Sequence, residues 1–158
     1  MFAAAGSACG SGDDAPKATA TVASSDTQLP LLPTATPVAE SAVGLSIAVN
    51  AGKSIAPTAK ELKALPTMEI NADGKKTGIS IATIAKQVDA KDGAIVTIKG
   101  IRADGKTVAF VRKPLSELAT TTVVVIDAQN HLSLASTSLD KSEWLQALES
   151  ITFLNPLQ

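Results

Sequence analysis

The chain changes composition abruptly near residue 44. Residues 15–41 consist largely of Ala, Thr, Ser and Pro. Such a stretch has little apolar surface to bury and favours extended chain, so we expect it to be disordered. From Gly44 onward, aliphatic runs alternate with turn residues, as in a folded domain. We therefore predict a disordered tether over residues 10–43 and one compact domain over residues 44–158.

Composition excludes several classes of function. Apolar residues make up 45% of the chain and aromatic residues only 3%, so the core is expected to be aliphatic and to lack stacking surfaces for bases or sugars. A net charge of −1 gives no indication of nucleic-acid binding. Cys9 is the only cysteine, which excludes an intramolecular disulfide and a metal centre built from several cysteines.

The first nine residues read MFAAAGSAC, and Gly, Ser and Asp follow them. Small residues before a cysteine resemble the end of a bacterial lipoprotein signal. This resemblance implies that residues 1–9 are a signal remnant, that Cys9 is lipidated, and that the protein is extracytoplasmic and anchored to the cell membrane. The chain departs from the pattern at Gly6, where an aliphatic residue is usual, and it lacks a charged n-region. A start upstream of Met1 accounts for the missing n-region, and an ordinary signal-peptide remnant or a flexible terminus is the alternative.

Two helices have clear start signals. Thr58 and Glu61 have the spacing of a capping box, which predicts a short helix that ends before Pro66. Ser80 is the predicted N-cap of a second helix. The apolar residues of this second helix, spaced at i, i+3, i+4 and i+7, are Ile81, Ile84, Ala85 and Val88. We expect this face to pack on a sheet, against either Val123 with Val125 or Val124 with Ile126.

Strand signals occupy much of the rest of the domain. Residues 94–101 and 107–112 are β-rich runs around Asp104-Gly105, which predicts a hairpin. The continuous apolar run 123–126 indicates a central strand buried on both faces. Further strands are predicted at 45–49, 68–71 and 151–154, one helical turn at 114–118 and a short helix at 140–148. Hairpins mixed with helical crossovers predict an α+β (mixed α/β) domain with a mixed β-sheet and two to three short helices.

Five short motifs follow one another between residues 58 and 154. They are Lys60-Glu61-Leu62-Lys63-Ala64-Leu65-Pro66, then Gly78-Ile79-Ser80-Ile81 with Ile84, the 96–110 hairpin with Asp104-Gly105, residues 114–118, and Trp144 with Leu148 and Ile151. Their order and spacing resemble the sulfite-oxidase-like molybdopterin-binding domain in its small version. In catalytic members of that family, a cysteine thiolate binds molybdenum, and Arg and His residues hold the pterin phosphate and the substrate anion. This chain has no cysteine after Cys9, so the resemblance implies the fold and transfers no catalytic residue.

Six residues stand out as site candidates. His131 follows a predicted turn and is a possible metal ligand or proton shuttle, but a solvated turn histidine is favoured, because no second histidine or nearby cysteine accompanies it. Asp127 is close enough in sequence to approach His131, but a hydrolytic triad also needs a nucleophile. No nucleophile motif surrounds Ser133 or Ser136. Trp144 is interpreted as a half-buried anchor on the 140–148 helix, with a ligand platform as the alternative.

Anion contacts are the remaining candidates. Arg102 and Arg112 flank the hairpin, and backbone amides at the Ser80 helix start add donors. Ordinary solvated strand ends are the favoured interpretation of both arginines.

The leading functional hypothesis is a tethered binding or accessory module without catalysis. Its expected partners are the membrane, through Cys9, and an unknown small ligand or envelope protein. The alternatives are a molybdopterin-dependent oxidoreductase component and a structural cell-envelope lipoprotein. We expect no cofactor and no molybdenum, because the domain has no thiolate to hold the metal.

Overall fold

The computed structural model describes residues 44–50 and 52–157, together with Ala39 and Ala42. The predicted signal remnant and nearly all of the predicted tether lie outside the described residues. The described part belongs to one compact unit and mixes strands with short helices, so the predicted α+β class is confirmed. None of the described helices is long and apolar enough to cross a bilayer.

The elements are short and closely spaced. The strands are β1 (Ser46–Val49), β2 (Ser54–Ile55), β3 (Thr67–Asn71), β4 (Lys75–Ser80), β5 (Ile95–Arg102), β6 (Val108–Pro114), β7 (Thr122–Ile126), β8 (Leu132–Ser136) and β9 (Leu145–Leu154). The helices are α1 (Ala59–Lys63), α2 (Ile81–Gln87) and α3 (Leu115–Leu118), and a 3-10 turn (Lys141–Glu143) precedes β9. Strands β2, β4 and β8 were not predicted.

The strands divide between two sheets. One has the order β2-β1-β9-β5-β6 and the other the order β3-β4-β7-β8. Only β1 and β9 run parallel among the described pairs. Strand β7 lies between β4 and β8, and its neighbouring residues Val123 and Val124 are both fully buried, in a small cluster and in the main core respectively. The prediction of a central strand buried on both faces is therefore confirmed.

Both predicted helix starts are confirmed. The Thr58–Glu61 capping box is formed at α1, and the backbone N–H of Thr83 donates to Ser80 Oγ at 3.1 Å at the start of α2. The Thr58 and Ser80 side chains each accept from a first-turn N–H group that has no acceptor within its own helix. The apolar face of α2 lies in the main core with Val124, and Ile126 packs against that core. Of the two predicted sets, Val124 with Ile126 is the one that faces the helix.

The predicted helix at 140–148 is wrong. Asp140 and Glu143 do form a capping box, but the helical turn ends there and β9 begins at Leu145. Two register shifts against β5, beside Gly100 and Arg102, each insert one extra residue into β9. Leu145, Leu148 and Ile151 therefore all point inward at intervals of three, which imitates the spacing of a helix face. Burial of this face in the sheet outweighs the local helix signal.

Candidate functional site

One cleft brings together residues from both sheets. It has a volume of about 290 Å³, and we call it the Trp144 cleft. Its apolar lining comes from β7, β8 and β9 and from the β5–β6 turn, and comprises Ala103, Val125, Leu134, Ala135 and Leu145. Its polar lining comprises Asp73, Lys76, Ser133, Lys141 and Gln146. The cleft thus combines an apolar wall with a few polar groups, the usual composition of a small-ligand site.

Trp144 is positioned by the 3-10 turn. Its backbone N–H donates to the carbonyl of Lys141 at 3.3 Å, and its half-buried ring packs against both hydrophobic clusters. The indole Nε1 is buried and has no hydrogen-bond partner among the described residues. A buried donor without an acceptor costs about 1–3 kcal/mol. The half-buried state agrees with the predicted anchor, but the residue follows a turn and does not lie on a helix.

The rim of the cleft carries a net positive charge. Lys141 Nζ forms an ion pair with Asp73 Oδ2. The hydrogen bond from Lys141 and its positive charge lower the pKa of Asp73, and the charge of Lys76 acts in the same direction. Two ammonium groups therefore lie around one carboxylate that stays ionised. This arrangement favours an anionic group at the mouth of the cleft.

His131 and Asp127 close the β7–β8 hairpin. The His131 Nδ1 lies 3.1 Å from Asp127 Oδ2, and Asp127 Oδ1 accepts from the backbone N–H groups of Gln129 and His131 at 2.8 and 2.9 Å. Burial acts to raise the pKa of Asp127, but the bonds from His131 and Gln129 outweigh it and lower the pKa. Asn130 in this turn has a φ of 68°. The predicted approach of Asp127 to His131 is confirmed, and its visible role is to hold a tight turn.

The three anion candidates occupy separate places. Ser80 is buried in the four-stranded sheet and caps α2. Arg102 ends β5 beside the hairpin turn, whereas Arg112 lies near the other end of β6, about 17 Å away along the strands. Strand alternation also directs the two arginine side chains to opposite faces of the sheet. The described residues therefore provide no single pocket that these three groups share.

A chain of hydroxyl groups joins β7 to β8. Thr122 Oγ1 and Ser136 Oγ are 2.7 Å apart, and both residues are almost fully buried. Ser136 continues to Ser138 at 3.1 Å, and Ser138 to Thr121 at 2.9 Å. Each buried hydroxyl thus has a partner, as buried polar groups require. The hydroxyl groups of Thr121 and Thr122 therefore link the start of β7 to the end of β8.

The molybdopterin family's chemistry does not fit the described residues. That family holds its metal through a cysteine thiolate, and residues 44–50 and 52–157 contain no cysteine. Within this part of the chain, no group of three or more His, Cys, Asp or Glu residues is placed to hold a metal ion. The family resemblance remains a prediction.

Sequence reasoning missed most of the cleft. The sequence indicates Trp144 as a possible ligand platform, but it indicates a solvated hairpin tip for Asp73 and Lys76 and gives no signal for Lys141. Together with Ser133, these residues come from three separate segments. No local motif marks them, because tertiary contacts such as the packing of β8 against β9 and the Lys141–Asp73 ion pair bring these segments together. No protein-family model matches the chain, and no curated protein matches it significantly.

Proposed function

We propose that the chain is an extracytoplasmic, membrane-tethered binding module that holds a small ligand in the Trp144 cleft without catalysis. The observation that carries this proposal is a cleft that combines Trp144 and an apolar wall with a positively charged rim. The buried indole N–H of Trp144 has no acceptor among the described residues, and a ligand whose binding moves the indole and supplies an acceptor would remove this cost.

The cleft chemistry defines the class of ligand. A volume of about 290 Å³ lies just below the range for ligand pockets, about 300–1,000 Å³, so the ligand is expected to be small. The apolar wall and the indole suit a flat or aliphatic body. Lys76 and Lys141 suit one anionic group, such as a carboxylate or sulfonate. A small amphipathic organic anion fits these features together.

The cleft offers poor acid–base chemistry. Asp73 is the only carboxylate among its described lining residues, and Lys141 holds its pKa below the ordinary value. An efficient general base has a pKa near the working pH. Asp73 is therefore a weak base at neutral pH, which supports binding over catalysis.

A fluorescent anion tests the cleft directly. The chain has one tryptophan and no tyrosine, so its intrinsic emission reports on Trp144. We expect anilinonaphthalene sulfonate to bind with one-to-one saturation and to accept excitation energy from Trp144. Lys141→Met is expected to weaken binding about tenfold, because it removes a charged contact and leaves the Asp73 carboxylate uncompensated. Asp73→Asn is expected to strengthen binding.

Lys60→Met is the matched control, since Lys60 is exposed on α1, outside the lining of the cleft. It should leave the affinity unchanged. Equal affinities in all three variants, or binding that never saturates, would show that the dye does not occupy the cleft.

Lipid anchoring at Cys9 is the second part of the proposal. It is supported by the small-residue run before the cysteine and by the Ala/Thr/Pro-rich segment after it. We expect the gene, extended upstream and expressed in its own host, to give a product that carries a fatty-acid analogue and sediments with membranes. Cys9→Ser should give an unlabelled product. A wild-type product that is soluble and unlabelled, like the variant, would contradict anchoring.

A further inference from the structure

Strand β6 is an edge strand with an exposed apolar surface. It pairs only with β5 among the described strands, at the end of the five-stranded sheet. Val108 and Phe110 are 50% and 63% exposed. They lie two positions apart, so both side chains project from the outer face of the sheet, as does Arg112. A large exposed aromatic on a sheet edge is unusual in a chain with 3% aromatic residues.

The hydrogen-bond register shows which backbone groups face the open edge. At one end of the hairpin Arg102 N–H donates to Thr107 O at 2.9 Å, and at the other Leu115 N–H donates to Ala94 O at 2.8 Å. Bonded and non-bonded pairs alternate along an antiparallel ladder. The β6 residues that bond to β5 in this alternation are Ala109, Val111 and Lys113. The N–H and C=O groups of Val108, Phe110 and Arg112 therefore point away from β5.

These outward groups are open to a further strand. No described residue forms a backbone hydrogen bond with Val108, Phe110 or Arg112 on the side away from β5. The same three residues carry the side chains of the exposed face. Pro114 has no N–H, and it limits the ladder at the end of the strand. The open edge thus presents three alternate residues, each with an outward N–H and C=O group, and a defined side-chain pattern.

Among the described residues, Arg112 carries the uncompensated positive charge at this edge. Lys99, directly opposite Phe110, is paired with Glu149, and Lys113 is paired with Glu117. Arg112 forms no ion pair with any residue that the structure describes.

The nearby acid Asp104 stays ionised within its own turn, where Arg102 lies close enough to offset its charge. The Thr107 hydroxyl donates to it, as do the backbone N–H groups of Thr107 and Lys106, and its pKa falls to about 2. A second copy paired antiparallel about Phe110 would place Arg112 opposite Val108 and would give it no acidic partner. An acidic segment complements the edge.

We infer that β6 is a docking edge for an extended acidic peptide segment of a partner protein, which adds as an antiparallel strand. Main-chain bonds to the three outward residues supply the affinity, and alternate side chains supply the specificity. Antiparallel pairing fixes the order of the guest residues from N to C terminus. An acidic residue lies opposite Arg112, an aromatic or β-branched residue opposite Phe110, and an aliphatic residue opposite Val108.

The probe is a capped peptide, Thr-Glu-Thr-Phe-Thr-Val-Thr, carrying a fluorophore and titrated with the full chain. We expect saturable binding by fluorescence anisotropy. Arg112→Glu is expected to weaken binding by about tenfold or more, since it replaces an attractive charge contact with a repulsive one. The same variant should bind a peptide with Lys in place of Glu more tightly than the wild type does. The control Lys60→Glu, a charge reversal on α1, should leave both affinities unchanged.

Backbone methylation separates strand addition from other modes of binding. A peptide N-methylated at its Glu, Phe and Val cannot donate to the outward carbonyl groups of Arg112, Phe110 and Val108, and we expect its binding to be lost. The inference is overturned if the methylated peptide binds equally well, or if Arg112→Glu and Lys60→Glu act alike. It is also overturned if the chain does not bind the peptide. This holds whether the chain then binds phosphatidylglycerol vesicles or forms a dimer, as measured by sedimentation.

Discussion

Ile84→Asp is expected to unfold the domain at room temperature. Ile84 is fully buried on the inner face of α2, in the main core. Removing the isoleucine side chain costs about 2–5 kcal/mol, and burying a carboxylate without a partner adds several kcal/mol. The sum is comparable to the whole stability of a typical domain, about 5–15 kcal/mol. Circular dichroism of the purified variant measures the loss of structure.

Lys86→Asp on the same helix is the matched control. Lys86 is exposed, so this variant introduces the same residue without burying it, and we expect it to stay folded. If Ile84→Asp melted within a few degrees of the parent, the assignment of the α2 inner face would be wrong.

Gly78→Ala is expected to destabilise the domain by about 3 kcal/mol, at the upper end of the range for overpacking. A Cβ at Gly78 would overlap the Val124 carbonyl oxygen and lie 2.9 Å from the Val124 carbonyl carbon. Backbone atoms in a buried strand cannot move aside cheaply. The contact occurs where β4 meets β7, and these strands are joined by only two residue pairs. Urea denaturation measures the loss of stability.

Gly93→Ala serves as the comparison, because a Cβ there meets only Pro156, at 3.4 Å. We expect a shift of less than about 1 kcal/mol for this variant. Equal shifts in the two variants would contradict the close approach of β4 to β7.

The helices were predictable because their signals are local. Thr58 with Glu61, and Ser80 before the apolar face of α2, each place a side-chain acceptor within three residues of the N–H that it satisfies. The hairpin of β5 and β6 is also local, with Gly105 at a φ of 70° in its turn. Such features need no information about distant parts of the chain.

The incorrect predictions concern elements whose structure is set by pairing with segments that are distant in sequence. Strand β4 begins with Lys75 and Lys76, which resemble a solvated turn in sequence, yet it pairs with β3 over five residues. The 145–151 segment has a three-residue apolar spacing that comes from bulges against β5. Neither pairing is marked by a local sequence motif. The cleft was not predicted for the same reason: Asp73 and Lys141 are far apart in sequence and form their ion pair only in the folded structure.

Native mass spectrometry of protein purified from the cell that makes it is the most direct test of the Trp144 cleft as a ligand site. We expect the wild-type chain to retain one small organic anion, with the added mass lost in Lys141→Met and kept in Lys60→Met. A wild-type chain with no added small molecule would contradict this expectation. So would an added mass equal to molybdopterin, with close to one molybdenum per chain, which would favour an oxidoreductase component.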